Sequence, residues 1–238
     1  MADFTNKVFV ITGAAGGVGS SVTQHVAATG AKLALWDHAQ EKLEQLQSEL
    51  PEGVACLTVA LDLTKEDAVA DAVAKTVEHF GQIDHLLHIA GGFAMPGPVH
   101  EGHLDRFQFL MNLNATATYI TCGQVAKSMV EKGIAGSLTI VAAKGAIRGG
   151  KHSAAYSASK AAALRIIESM ADELKDKGIR VNAISPSTID TPGNRAAMGD
   201  ENAHKWVTAK EMADTMLFLA SDEASGITGA NVEIYGRV

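Results

Sequence analysis

Residues 7–19 read Lys-Val-Phe-Val-Ile-Thr-Gly-Ala-Ala-Gly-Gly-Val-Gly, and this stretch decides the fold. An apolar, β-rich run at Lys7–Ile11 enters a glycine-rich turn, and a helical pattern then continues to about Thr29. Glycines in such a turn allow positive φ, close approach of a phosphate group and tight contact between helix and strand. The free N–H groups at the start of the helix favour an anion. The stretch therefore predicts a strand, a turn that admits a phosphate group, and a helix, although a merely tight turn would look similar.

The rest of the chain alternates short apolar runs with helical stretches. Further strands are predicted at Lys32–Trp36, Val54–Leu61, Ile83–Ala90, Ser137–Ala142, Ile179–Ser185 and Asn231–Tyr235. Helices are predicted at Gln40–Leu50, Lys65–Phe80, Leu104–Lys132, Ala154–Ala171 and Ala209–Ala220. This alternation implies right-handed crossovers and a doubly wound parallel sheet with helices on both faces. With no linker or repeat, residues 1–238 are predicted to form a single Rossmann-like α/β domain.

Composition narrows the class of protein. Hydrophobic residues make up 47% of the 238 and charged residues 20%, which permits a sizeable core. The net charge of -7 argues against a nucleic-acid or membrane partner. Met1–Phe4 lacks the basic start of a secretion signal, and Cys56 and Cys122 show no disulfide or redox spacing. We expect a soluble, cytoplasmic protein, and no metal, because His100 and His103 have no second pair of ligands.

An acidic residue follows the second predicted strand. Asp37 lies about 20 positions after the glycines, where a carboxylate accepts the ribose 2′-hydroxyl of NAD and repels a 2′-phosphate. His38 follows it rather than an arginine, and the glycine turn carries no basic residue. The pattern predicts NAD in preference to NADP.

Tyr156 and Lys160 lie four residues apart on a predicted helix and therefore share one face. An ammonium beside a phenol lowers the pKa of the phenol toward neutrality. Together with the glycine turn, this Tyr-Ser-Ala-Ser-Lys run resembles the short-chain dehydrogenase/reductase superfamily from about Lys7 to the C-terminus. The resemblance implies that Tyr156 exchanges a proton with the substrate, while Lys160 lowers its pKa and holds the nicotinamide ribose. Asn114, preferred to Asn112, matches the asparagine that sustains a water-mediated proton path.

The same resemblance assigns the cofactor contacts. Asp62 matches a carboxylate that meets the adenine amino group, although it could equally cap the helix at Lys65. The segment 88–92, His-Ile-Ala-Gly-Gly, replaces the usual Asn-Asn-Ala-Gly. The implied cofactor-binding residues are Gly13, Gly17, Val18, Gly19, Asp37, Asp62, Leu63, Ala90, Gly91, Tyr156, Lys160, Pro186, Ile189 and Thr191.

One expected catalytic residue is absent. The superfamily serine lies about thirteen residues before the tyrosine, and this chain has Ala143 there. Losing such a hydrogen-bond donor costs on the order of 10²–10³ in rate where the chemistry needs it. Three explanations stay open: the substrate does not need the donor, another group such as Thr188 replaces it, or the chain binds cofactor as a sensing or scaffolding protein.

Dihydropteridine reductases, which prefer NADH and carry alanine at the serine position, show a narrower resemblance. The matching runs are 90–93, 142–146 and 189–195, followed by Met198 and Trp206. This implies a conjugated acceptor similar to a quinonoid dihydropterin, whereas a small carbonyl or alcohol stays open.

Residues around this site are assigned by their position. Residues 193–207 have weak periodicity and are predicted to form a substrate lid. The substrate-pocket candidates are Ala143, Phe93, Met95 and Trp206. Lys144 and Arg148 flank the same loop, where they would either meet an anionic substrate or remain solvated. The apolar helices Ala115–Ala126 and Ala154–Ala171 predict a homodimer or homotetramer.

Overall fold

The first strand, β1 (Val8–Thr12), lies at the point where the strand order of the sheet reverses, in a computed structural model that describes residues 3–238. The other strands are β2 (Lys32–Asp37), β3 (Cys56–Ala60), β4 (His85–His88), β5 (Gly136–Val141), β6 (Ile179–Pro186) and β7 (Asn231–Ile234). Their order is β3-β2-β1-β4-β5-β6-β7, and every neighbouring pair is parallel. The predicted doubly wound α/β fold is confirmed.

Two layers of helices cover the sheet, because the strands are apolar on both faces. Along β1, Phe9 and Ile11 point into one core and Val10 into the other. Helices α1, α2 and α9 cover the first face, and α3, α5 and α7 cover the second. The helices are α1 (Gly19–Ala27), α2 (Gln40–Ser48), α3 (Glu66–Phe80), α4 (Leu104–Leu110), α5 (Ala117–Lys132), α6 (Lys144–Ile147), α7 (Ala154–Leu174), α8 (Pro192–Met198) and α9 (Ala209–Ala220).

The predicted continuous helix Leu104–Lys132 is wrong at its centre. A π-helical segment, Met111–Thr116, separates α4 from α5 and contains the buried Asn114. A π segment widens the helix by one residue and so rotates the side chains that follow it. Hydrogen bonds that Asn114 makes outside its own helix hold this distortion, as described below.

Apolar side chains remain exposed on α4 and α5. Phe107, Phe109 and Tyr119 are 40%, 53% and 68% exposed. The association into a homodimer or homotetramer stays a prediction. No helix within residues 3–238 is both long enough and apolar enough to cross a membrane.

Two buried histidines of β4 lead to a prediction about acid stability. His85 Nδ1 lies 2.9 Å from Ser137 Oγ, and His88 Nδ1 lies 2.9 Å from Thr12 Oγ1. Burial lowers the pKa of both histidines to about 3. Below the unfolded pKa of about 6.5, the unfolded chain therefore binds protons that the folded chain refuses. We expect each histidine to reduce the free energy of unfolding by ~1.4 kcal/mol per pH unit as the pH falls from about 6 to 4.

The measurement is urea unfolding at pH 7, 6, 5 and 4 for the wild type, His85→Gln and His88→Gln. Each variant should show a shallower decline than the wild type, since glutamine does not titrate. Identical pH slopes in all three proteins would contradict the prediction.

Candidate active site

The glycine turn is pressed against the end of β4. Gly13 has φ of +65°, and a Cβ there would lie 2.9 Å from the backbone of Ala90. A Cβ on Gly19 would lie 2.0 Å from the carbonyl oxygen of Gly13, so the helix start folds back onto the turn. Between them, the backbone of Gly16 and Gly17 is exposed. The Gly16 N–H donates to the Gly13 carbonyl at 3.0 Å, so the donors that this turn can offer an anion are those at the start of α1.

Asp37 supports this turn from the end of β2. Its side chain is only 6% exposed. Oδ2 accepts a hydrogen bond from the Ala15 N–H at 3.1 Å, and Oδ1 accepts one from the Ala39 N–H at 3.2 Å. The sequence predicted a ribose contact for Asp37 but not this bond to the glycine turn, because side-chain spacing carries no information about backbone donors.

Asp62 lies at the surface after β3. Its Oδ1 accepts hydrogen bonds from the Thr64 hydroxyl at 2.7 Å and the Thr64 N–H at 2.9 Å, and these bonds lower the pKa of the carboxyl. Helix α3 begins at Glu66, and its N-cap residue is Lys65. Asp62 therefore closes a local turn and does not cap the helix, which removes one of its two predicted roles. Neighbouring Leu63 packs against the core.

Asn114 joins three elements of the site. Its Oδ1 accepts a hydrogen bond from the Gly92 N–H at 2.9 Å, and its Nδ2 donates to the Gly92 carbonyl at 3.0 Å. Nδ2 also approaches Ser159 Oγ of α7 at 3.0 Å. A Cβ on Gly91 would lie 2.8 Å from Asn114 Oδ1 and 3.0 Å from Lys160 Nζ. The turn after β4, the π segment and α7 are therefore in direct contact.

Lys160 and Tyr156 occupy the buried side of this junction. Lys160 Nζ donates to the Val141 carbonyl at 2.7 Å, and burial lowers the pKa of Lys160 to about 8. Burial raises the pKa of the Tyr156 phenol to about 12. The predicted downward shift of the phenol pKa is wrong in direction for this structure, because burial is the cause that acts on the phenol. Phe93 stands edge-on to Tyr156, with ring centroids 4.9 Å apart.

Ala143 occupies the place of the expected serine. It is 5% exposed and directly follows Ala142, whose N–H donates to Ile184 of β6 at 2.8 Å. Two residues later, a Cβ on Gly145 would lie 3.4 Å from the Tyr156 ring. The loop that begins at Ala143 therefore passes directly beside the phenol, without contributing a hydroxyl at its first position.

The segment after β6 leaves the sheet, and its two ends pair with each other. Ile189 forms a parallel bridge with Val207, and the Asp190 N–H donates to the Val207 carbonyl at 2.7 Å. Thr191 Oγ1 accepts from the Asn194 N–H at 3.2 Å to cap α8. A Cβ on Gly17 would lie 3.5 Å from Thr191 Cβ. The segment is therefore anchored next to the glycine turn, and its role as a lid stays a prediction.

The four pocket candidates differ in how far they are exposed. Phe93 and Met95 are 66% and 53% exposed, and Ala143 is buried beside the phenol. Trp206 is 6% exposed and directly precedes Val207, which pairs with Ile189, and this favours packing over substrate contact. His88 was missed as a site residue: it is buried beneath the turn 89–92, and the charge of Lys160 acts on it. No sequence signal marks His88, because the motif expected asparagine there.

These residues fit a dinucleotide. The exposed backbone of Gly16 and Gly17 would admit a pyrophosphate, since side chains there would fill the space at the turn. Asp37 lies beside the turn at the end of β2, and small residues follow β4 where a ribose must pass. The fold and the site together have the form of a dinucleotide-binding α/β protein.

Comparison with known proteins identifies the family. A model of the family described as enoyl-(acyl carrier protein) reductase matches residues 13–236. Glucose 1-dehydrogenase of Gluconobacter oxydans (strain 621H) is 31% identical, over 98% of this chain and 92% of the relative. The structure of NAD+-bound xylitol dehydrogenase is 29% identical, with a TM-score of 0.91, over 99% of this chain and 100% of that one. The structure of 3-ketoacyl-(acyl-carrier-protein) reductase from Brucella melitensis, complexed with NADH, is 27% identical, with a TM-score of 0.89, over 98% of each chain.

The chain therefore belongs to the short-chain dehydrogenase/reductase superfamily, and it is an oxidoreductase. The narrower resemblance to dihydropteridine reductases stays a prediction.

The contact of Gly91 with Asn114 and Lys160 yields a stability prediction. Gly91→Ala should displace one of these buried polar groups and lower the free energy of unfolding by about 1–3 kcal/mol. Gly193→Ala is the matched control, because a Cβ there meets nothing within 4 Å. Both variants are compared with the wild type by urea unfolding. Adding Asn114→Ala to Gly91→Ala should cost less than the sum of the two single changes; simple additivity would contradict the predicted collision.

Proposed function

We propose that the protein is an NAD(H)-dependent oxidoreductase that transfers hydride between nicotinamide and a small carbonyl, alcohol or conjugated acceptor. The observation that carries the proposal is the junction of Tyr156, Lys160 and Asn114 at the same edge of the sheet as the glycine turn and Asp37. Two similar structures, at 29% and 27% identity, hold NAD+ and NADH. A cofactor held at this turn would present its nicotinamide toward Tyr156.

The chain's own residues divide the work of holding the cofactor. The N–H groups of the glycine turn would bind the pyrophosphate, and Asp37 the adenosine ribose. Lys160 would hold the nicotinamide ribose, and Ile189 and Thr191 the carboxamide. NADH, when bound, supplies the hydride. The remaining contacts proposed from the superfamily pattern are Gly13, Gly17, Val18, Gly19, Asp62, Leu63, Ala90, Gly91 and Pro186.

Tyr156 is proposed as the acid of the reduction. With its pKa raised to about 12, the phenol is protonated at neutral pH and can donate its proton to the acceptor. Lys160, with a pKa of about 8, is still mostly charged at pH 7. Its ammonium would stabilise the phenolate that forms when the proton leaves. Asn114 fixes the turn after β4 against α7 and so keeps these two groups in register.

Ala143 favours an acceptor that disperses negative charge over its own ring. A simple ketone concentrates charge on one oxygen and needs a hydrogen-bond donor there. A quinonoid dihydropterin or a similar conjugated acceptor places the charge in an electron-poor ring. The exposed edge of Phe93 beside Tyr156 gives such a ring an apolar wall. We therefore propose a compact conjugated acceptor in preference to a simple ketone.

The cofactor preference is tested at Asp37. Asp37→Ser removes the carboxylate that opposes a 2′-phosphate, so the ratio of kcat/KM for NADPH to that for NADH should rise by about 10²-fold. Asp37→Asn keeps the shape of the side chain and an acceptor for the Ala15 N–H, so it should relax the preference with little loss of stability. Steady-state kinetics with both cofactors provide the measurement. A wild type that uses NADPH as well as NADH would refute the preference.

The reaction is tested by oxidation of NADH with quinonoid dihydropterin and a panel of ketones, diketones and quinones. Tyr156→Phe should lower kcat by at least about 10²-fold, because the proton donor is lost. The dissociation constant for NADH, from fluorescence titration, should change little. Ala143→Ser should leave turnover of a conjugated acceptor unchanged and raise that of ketones.

The outcomes separate the candidate functions. Turnover that survives Tyr156→Phe would remove Tyr156 from the chemistry. Ketone turnover that exceeds dihydropterin turnover would indicate an ordinary carbonyl reductase. Tight NADH binding with no turnover anywhere on the panel would support a sensing protein and overturn the proposed reaction.

A further inference from the structure

The loop between β5 and α7, residues 142–153 with the short helix α6, concentrates positive charge in a chain whose net charge is -7. Residues 132–167 include no aspartate or glutamate. Within this stretch Lys144, Arg148 and Lys151 are exposed. None of them appears in the ion pairs formed among residues 3–238. Because unpaired cations raise the local concentration of anions, this loop forms an electropositive rim.

Lys144 has a defined position within that rim. It follows Ala143 at the carboxyl end of β5, and its Nζ lies 4.8 Å from the centroid of the Tyr235 ring. Tyr235 directly follows β7, and its carbonyl accepts a hydrogen bond from Ser187 Oγ at 2.9 Å. The Lys144 side chain therefore reaches across the end of β6, from β5 toward β7. The ring holds the ammonium in place by a cation–π contact that uses none of its hydrogen atoms for a conventional acceptor.

The same loop touches the proposed acid. A Cβ on Gly145 would lie 3.4 Å from the Tyr156 ring, so Lys144 is bonded to a residue in contact with that ring. On its other side, Lys144 is bonded to Ala143, where a serine would otherwise contact the substrate. Lys144 therefore belongs to the segment that contacts the Tyr156 ring, and its ammonium lies over the Tyr235 ring. Phe93 supplies an apolar edge at the same phenol.

We propose that Lys144 is a specificity-determining residue that binds an anionic group of the acceptor, such as a carboxylate or sulfonate. The acceptor then combines a planar apolar part, which packs against Phe93, with a negative group directed to Lys144. Arg148 and Lys151 attract the anion without contacting the reacting ring. This inference rests on the proposed function, because it specifies the substrate of the same site.

The size of the effect follows from the exposure of Lys144. A partly solvated charge pair contributes only modestly to the free energy of substrate binding. Because the ring already holds the ammonium, the lysine side chain loses less freedom when the substrate binds. We expect an anionic acceptor to have a KM about three- to tenfold lower than its neutral counterpart. The difference should shrink as the salt concentration rises, since the pair is accessible to ions.

The experiment uses matched acceptors with NADH at fixed ionic strength. The pairs are 4-acetylbenzoate with its methyl ester, and 1,2-naphthoquinone-4-sulfonate with 1,2-naphthoquinone, each corrected for reaction without enzyme. Lys144→Met removes the charge at similar length, and it should abolish the KM advantage of the anionic member. Lys144→Arg should retain the advantage. Lys127→Met is the control, because Lys127 is an exposed lysine of α5 far along the chain from the loop.

Binding of NADH, itself an anion, is measured separately by fluorescence, and it should be the same in Lys144→Met and the wild type. Equal KM values for both members of each pair in the wild type would overturn the inference and leave the proposed function standing. An equal rise in KM for both members in Lys144→Met would also overturn the inference, and the proposed function would still stand. Absence of turnover with every acceptor would instead overturn the proposed function and the inference with it.

Discussion

The parallel direction of all seven strands is the constraint on which the site depends. Parallel strands end at one edge of the sheet, so the residues that follow β1, β2, β4, β5 and β6 are brought together although they are distant in sequence. The strand order reverses between β1 and β4, and the two connecting segments diverge there to opposite faces. The resulting crevice would close if Gly13 carried a side chain, because its Cα already approaches Ala90.

Burial at that crevice sets the chemistry of the two ionisable groups. Loss of solvent favours the neutral form of each side chain, which raises the pKa of the Tyr156 phenol and lowers that of the Lys160 ammonium. At pH 7 the outcome is a protonated phenol beside a charged lysine that has little solvation to lose. Negative charge appearing on the phenol would therefore meet an ammonium in a medium where the attraction is strong. At neutral pH the phenol therefore carries its proton.

Patterns of residue type predicted the strands and the doubly wound parallel sheet, because apolar runs and turn glycines are local signals. The roles of the site residues stay predictions. The π segment around Asn114 escaped prediction, since the contacts of Asn114 with Gly92 are distant in sequence and no local pattern reports them. The direction of the Tyr156 pKa shift also escaped, because spacing locates a neighbouring charge and does not measure lost solvent. The hydrogen bond from the Ala15 N–H to Asp37 was not predicted either, because its donor is a backbone group and a pattern of side-chain types does not report it.

The free-energy cost of burying Lys160 bears on why alanine stands at position 143 in place of the expected serine. Lowering the pKa of Lys160 from 10.5 to about 8 costs roughly 3 kcal/mol of folding free energy at pH 7, where the lysine is charged in both states. The π segment adds a rare helical turn. A protein that only bound a nucleotide would need neither feature. Their presence beside Ala143 supports the proposed acceptor, which needs no hydroxyl at that position.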